Sequence, residues 1–155
     1  MKTIVLVGCG KEKLSRAAKA KDMYLGPLFK KARAYAEKIG DSWWILSAKY
    51  GLLDPEEKIE PYDETLTKKP KNERHWWNLN VRNSISCNLL KWIEVSGPNA
   101  RCEPAKFVCL AGEPYLEFFE IAPEIRKCCI IEKPMAGMGI GQRLQFLSRP
   151  VNRRA

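Results

Sequence analysis

The chain has 155 residues, 45% of them hydrophobic, and its 27 Lys and Arg against 18 Asp and Glu give a formal net charge of +9. That is the size of one domain with a full core, which excludes a repeat array or a miniprotein that needs staples. The basic excess points to an anionic partner, nucleic acid first and a phosphorylated small molecule second.

Thr3-Ile4-Val5-Leu6-Val7 is apolar and β-branched without alternation, the pattern of a strand covered on both faces. Its apolar run is too short for an export signal, and Lys11, Glu12 and Lys13 follow where small residues are needed. Gly26 before Pro27, with Gly40 beyond, brackets a helix. Leu28, Ala32, Tyr35, Ala36 and Ile39 form its apolar stripe. Trp43-Trp44-Ile45-Leu46 reads as a second buried strand. It ends in Ser47-Ala48-Lys49-Tyr50-Gly51, where a hydroxyl, an ammonium and a phenol arrive together and Gly51 permits a tight turn.

Residues 54–73 form a long polar segment, acidic in its first half and basic in its second, of the kind used as a lid or binding loop. A helix is expected over residues 74–95, with Trp77, Val81, Ile85, Leu89, Trp92 and Ile93 facing inward. Trp76 reads first as a helix anchor and second as a platform for a stacked base, His75 reads as a surface or interface residue, and Ser96-Gly97-Pro98-Asn99 closes the helix. Lys106-Phe107-Val108-Cys109-Leu110 is a third strand, broken by Ala111-Gly112-Glu113 before a short helix that carries Tyr115, Phe118 and Phe119. Lys127-Cys128-Cys129-Ile130-Ile131 is a fourth. A turn holding Gly137, Gly139 and Gly141 then enters a last helix through Arg143, Leu144 and Leu147. Strand and helix alternate four times. The expected fold is α/β: a single domain over residues 1–148 with a mainly parallel sheet of about four or more strands covered by helices, followed by a basic tail over residues 149–155.

No stretch approaches the length of a membrane span. The six cysteines are Cys9, Cys87, Cys102, Cys109, Cys128 and Cys129; no pair is spaced C-x-x-C, and His75 is the sole histidine. No metal site and no cofactor are therefore expected. Cys109, Cys128 and Cys129 sit in apolar runs, where free cysteine behaves as a small hydrophobe. The expected location is a reduced, cytoplasmic one, without membrane association.

In a parallel sheet the loops leaving the strands emerge at one edge, where ligands bind. Here those loops carry Cys9, Lys11 and Lys13, then Ser47, Lys49 and Tyr50, then Gly112, Glu113 and Tyr115, and last the glycine turn with Arg143. Lys11, Lys13, Lys49 and Arg143 are candidates to neutralise phosphates, with Ser47 and the backbone of Gly137, Gly139 and Gly141 as further donors. The glycine turn reads equally as a tight turn with close packing, since it lacks the dinucleotide fingerprint. Tyr50, Tyr62 and Tyr115 are candidates to stack on or orient a base. Asp22 and Glu113 suit acid–base work. Lys49 suits a Schiff base, although contact with a phosphate asks less of it. Cys9 reads first as a buried structural cysteine and second as a nucleophile whose pKa Lys11 or Lys13 would lower.

Met23-Tyr24-Leu25-Gly26, Leu46-Ser47-Ala48-Lys49-Tyr50-Gly51-Leu52-Leu53-Asp54-Pro55 and Ile59-Glu60-Pro61-Tyr62 resemble segments of the YaaA superfamily. The likeness is greatest to its short bacterial and phage relatives, which are similar at Cys9, Lys11 and Lys13, at Ala20-Lys21-Asp22-Met23-Tyr24 and at Ala111-Gly112-Glu113-Pro114-Tyr115. The resemblance covers nearly the whole chain. It implies a YaaA-like α/β fold with a DNA-binding cleft and a role in DNA modification, repair or protection under oxidative stress. The expected function is binding of nucleic acid, DNA foremost, in the strand-end cleft, with glycosylase- or transferase-like chemistry at a nucleobase as its enzymatic form. The alternatives are a small-molecule enzyme acting on a free nucleotide or other phosphorylated metabolite, and a non-catalytic DNA-protecting module.

Overall fold

The computed structural model describes residues 1–95 and 104–151. The turn expected at Ser96-Gly97-Pro98-Asn99, the residue Cys102 and the last two arginines of the tail, Arg153 and Arg154, lie outside the described residues, as do the side chains of Trp92 and Ile93.

Strands β1 (Lys2–Gly8), β3 (Ser42–Ser47), β6 (Ala105–Leu110) and β7 (Cys129–Glu132) correspond to the four apolar runs and pair in parallel. A short strand β4 (Gly51–Leu53) adds antiparallel to β3, so the five-stranded sheet has the order β4-β3-β1-β6-β7. The central strand, β1, is covered on both faces, as its unbroken apolar pattern requires. Ile4 and Leu6 join one core with Leu46, Phe107 and Cys109, while Val5 and Val7 join the other with Ile45, Val108 and Leu110. Each buried aliphatic contributes about 1.5–3 kcal/mol relative to exposure, so the two cores dominate the stability.

Helix α2 (Pro27–Ile39) covers the second of these faces through Phe29, Ala32 and Ala36, together with α6 (Ile140–Leu147) through Leu147. Pro27 occupies the first turn, where its missing N–H costs no hydrogen bond. Helix α3 (Lys71–Val95) covers the opposite face through Trp77, Val81, Ile85 and Leu89, joined by the short helices α4 (Glu113–Leu116) and α5 (Pro123–Arg126) through Leu116 and Ile125. The inward stripe is thus as expected wherever its side chains are described. Trp76 departs from expectation. It is 66% exposed, and the anchor is Trp77, whose indole N–H donates to the Ser47 carbonyl at 2.8 Å.

The polar segment at residues 54–73 is less irregular than its sequence suggests. Its strand β5 (Lys58–Ile59) pairs antiparallel with β2 (Ala18–Lys19), which precedes helix α1 (Ala20–Met23), and a 3-10 turn follows at Leu66–Lys68. Glu56 fastens this ribbon through ion pairs to Lys19 and Lys21, whose hydrogen bonds hold its carboxyl down at about 2. No helix among the described residues is long and apolar enough to cross a membrane.

Candidate functional site

The chain leaves β1 towards β3 on one side and later returns past β1 to reach β6. Among the parallel strands the order therefore reverses between β1 and β6, the switch point at which open α/β sheets take their ligands. A cavity of about 330 Å³ opens there. Gly8, Cys9 and Leu110 to Gly112 form its floor at the strand ends; Gly26 to Phe29, from the start of α2, form one wall; Met135, Ile140 and Arg143 form the other. Gly8 is required at the floor. A Cβ there would lie 3.0 Å from the Ala111 Cβ and 3.2 Å from its Cα, so a side chain would push the two strand ends apart.

The loop after β1 is held in place by the chain itself. Cys9 N–H donates to the Leu46 carbonyl at 3.0 Å, and residues 12–14 pair with 23–25 through Leu14 N–H to Met23 O and Leu25 N–H to Glu12 O, both 2.9 Å. This pairing sets Lys11 and Glu12 beside the first turn of α2. Arg143 reaches the cavity from α6. Its Nε donates to the Met138 carbonyl at 2.9 Å, and Nη1 lies 3.4 Å from where a Gly112 Cβ would stand. The guanidinium is thus oriented by one bond, and no carboxylate among the described residues lies within ion-pair distance of it.

Cys9 connects this cavity to a buried hydroxyl cluster behind it. The Cys9 Sγ lies 3.1 Å from the Tyr115 hydroxyl, and both residues line the cavity. Ser47, fully buried at the end of β3, donates to the Tyr62 hydroxyl at 2.8 Å and accepts from Tyr50 N–H at 3.1 Å. The Tyr24 and Tyr62 hydroxyls are 2.8 Å apart. Burial pushes the Tyr24 phenol up to about 12, with nearby Cys9 adding to the shift. Burial raises Tyr62 and Tyr115 further, again with Cys9 next in effect. Lys13 stands over this cluster, its Nζ 4.4 Å from the Tyr62 ring centre and donating to the Lys11 carbonyl at 3.2 Å.

The model of a family of unknown function, DUF6884, matches residues 4–149. The chain belongs to that family. It is also similar to the uncharacterized protein YfjM of Bacillus subtilis (strain 168), with 36% identity over 73 residues, which is 43% of this chain and 49% of that protein. The match therefore spans about half the length of the curated relative. No solved structure matches.

Of the residues named from sequence, this DUF6884 chain brings Cys9, Lys11, Tyr115 and Arg143 together around one cavity. Ser47, Tyr62 and Lys13 lie behind it in the hydroxyl cluster. Lys49 and Tyr50 do not line the cavity. They occupy the tip of the β3–β4 hairpin, with the ammonium 5.3 Å from the Tyr50 ring centre and the Tyr50 hydroxyl donating to Glu60 O at 3.3 Å. Asp22 does not line it either, and pairs with Arg33 at 2.9 Å. Glu113 is exposed at the start of α4. Gly137, Gly139 and Gly141 stand outside the lining, and the Gly139 N–H is already used by Gln142 Oε1 at 3.0 Å; this turn delivers Ile140 and Arg143 instead of presenting free donors. Sequence reasoning missed the apolar wall of Leu28, Phe29, Ala32 and Met135 and the buried phenol of Tyr24. The Tyr-Leu-Gly-Pro run before α2 was the available signal for the last.

Proposed function

We propose that this chain binds a single phosphate-bearing nucleotide in the cavity between the ends of β1 and β6. The observation that carries this reading is the cavity itself: about 330 Å³, at the switch point, apolar along its walls, with Lys11 and Arg143 at its edge. That volume is at the lower end of small-molecule sites, which run from about 300 to 1,000 Å³, and suits one nucleoside better than a run of stacked bases. An aromatic and aliphatic wall favours a base or sugar, while the oriented guanidinium of Arg143 and the ammonium of Lys11 favour a phosphate.

A second reading draws that nucleotide from nucleic acid, one base being turned out of a strand into the cavity. The formal charge of +9 supports it, and so does the YaaA-like resemblance. Chemistry at the base or its glycosidic bond falls in this reading to Cys9 and Tyr115, which face the ligand, and not to Asp22, Lys49 or Glu113. The free thiols of the five described cysteines favour a reduced, cytoplasmic setting.

Calorimetric titration with nucleoside monophosphates, beside labelled single- and double-stranded DNA over a salt series, tests both readings. Saturation by a monophosphate, weakened about tenfold in Arg143→Ala through loss of a charge-assisted contact, supports the first. DNA binding that falls steeply with salt, with monophosphates competing, supports the second. If neither monophosphates nor DNA bind, the nucleotide reading fails.

A further inference from the structure

We infer that the outward face of α3 joins two copies of this chain, the two helices packing antiparallel across a twofold axis. The inference goes beyond the nucleotide reading and does not rest on it, because α3 lines no part of the cavity. The face is defined by what it lacks. Charged residues make up 29% of the chain and its net charge is +9, yet Arg82 is the sole charged residue from His75 to Leu90. On an α-helix Asn80, Asn83 and Cys87 fall within about 40° of Trp76, while Arg82 lies about 120° round from it. Trp76 is 66% exposed, and Asn80, Asn83 and Cys87 are exposed along the same strip.

An uncharged strip that carries a large aromatic has the composition of an interface core. Charge then selects its occupant. Single-stranded nucleic acid needs a cationic groove beside its stacking aromatics. The nearest cations are engaged elsewhere: Lys69 pairs with Glu64 and Glu73, Arg74 pairs with Glu117, and Lys71 stands 5.8 Å from the Phe118 ring centre. Two copies of so basic a chain repel wherever cations face cations, and this strip lets them meet without that repulsion. The strip is also self-complementary. In a twofold contact, if one residue meets another, the second meets the first. Trp76 and Cys87 stand equally far from the point between Val81 and Arg82, as do Asn80 and Asn83. Antiparallel pairing about that point lays each indole on the partner's Cys87, a favourable sulfur–aromatic contact. It also sets each Asn80 amide against the partner's Asn83, where donor and acceptor match.

A contact one helix wide sits at the low end of interface size and implies a micromolar dimer, so sedimentation equilibrium of the wild-type chain from about 10 μM to about 1 mM tests it. The average mass should rise from one chain towards two. Trp76→Ala should weaken association at least about tenfold. Asn83→Lys should also weaken it, because the two new cations would stand about 4.5 Å apart along the helices. Adding Asn80→Asp to Asn83→Lys should restore association, each carboxylate facing the partner's introduced ammonium. These positions are exposed, so thermal midpoints should hold in every variant. A chain that stays monomeric over the whole range, a dimer that survives both single substitutions, or a charge pair that fails to restore it overturns the inference. So does a monomer whose affinity for single-stranded DNA falls in Trp76→Ala, which assigns the face to nucleic acid instead.

Discussion

Replacing Tyr62 with Phe deletes one oxygen and keeps the ring. That oxygen accepts from Ser47 at 2.8 Å and lies 2.8 Å from the Tyr24 hydroxyl, and Ser47 and Tyr24 are 0% and 2% exposed. Without it Ser47 and Tyr24 each lose the partner at 2.8 Å and keep only their weaker contact with each other, in a place where both are almost fully buried. A buried polar group left unpaired costs about 1–3 kcal/mol, so two of them should cost about 2–3 kcal/mol once partial relaxation is allowed. The ring contacts persist, edge-on to Tyr50 with centres 5.5 Å apart and beneath Lys13, so little packing is lost. Urea unfolding should show the midpoint falling by about 1 M with an unchanged slope. Ser47→Ala in a double-mutant cycle should give a coupling of about 1 kcal/mol, because the second deletion removes a group already orphaned by the first. A loss below about 0.5 kcal/mol for Tyr62→Phe, or strictly additive single losses, would refute the claim that the hydroxyls form one desolvated network.

Three further outcomes follow from the packing of single residues. Tyr24, Tyr62 and Tyr115 are acids with folded pKa values above their unfolded value near 10, so above pH 10 the folded state holds more protons than the unfolded one. Their stabilisation is complete below about pH 10 and is lost as pH rises towards the folded values, by up to about 1.4 kcal/mol per pH unit for each group; a spectroscopic tyrosine titration in which these three ionise with the exposed phenols would contradict it. Gly51→Ala should cost about 1–2 kcal/mol through the backbone alone, because φ is +72° while the new Cβ would make only an ordinary 3.8 Å contact with Val81; thermal melts check it, and an unchanged midpoint would count against the left-handed turn. Asn78 is 4% exposed and its Oδ1 has no partner among the described residues, although its Nδ2 donates to Arg74 O at 2.9 Å, so Asn78→Leu should change stability by less than about 1 kcal/mol in urea unfolding, and a larger loss would count against an unpartnered oxygen.

The four parallel strands were legible because each is a continuous apolar run; burial on both faces demands that pattern of β1 and β6, whereas β7 keeps it as an edge strand with Ile130 48% exposed. The ribbon of β2 and β5 was not legible, since two-residue strands carry no period; it exists because Glu56 and the backbone pairing at residues 18–19 and 58–59 close it. In the site, Lys11 and Arg143 could be placed by order along the chain, as each follows a parallel strand. Lys49 also follows one. There the left-handed Gly51 returns the chain antiparallel as β4, which turns Lys49 to a hairpin tip. Asp22 could not be placed at all, because its partner Arg33 belongs to the next helix and nothing local announces the pair. The adjacent tryptophans show the same limit: one step along a helix separates the exposed Trp76 from Trp77, whose indole is committed to Ser47 O.

The location of the cavity is a consequence of topology before it is one of side chains. The step from β1 to β3 and the return step past β1 to β6 go in opposite directions, so crossovers of the same hand must put α2 and α3 on opposite faces. The loops part at the β1–β6 boundary, and any side chains there would find a crevice. What this sequence adds is closure and polarity. Gly8 lets Ala111 approach and seals the floor, the start of α2 and the start of α6 wall the sides, and Arg143 lies beside Gly112. The cations then stand at the edge of the cavity and the Cys9–Tyr115 pair lines it beside the strand ends, which gives the cavity one ionic and one hydrogen-bonding part. The proposed nucleotide would have that polarity, its phosphate meeting the cations and its base reaching the Cys9–Tyr115 pair.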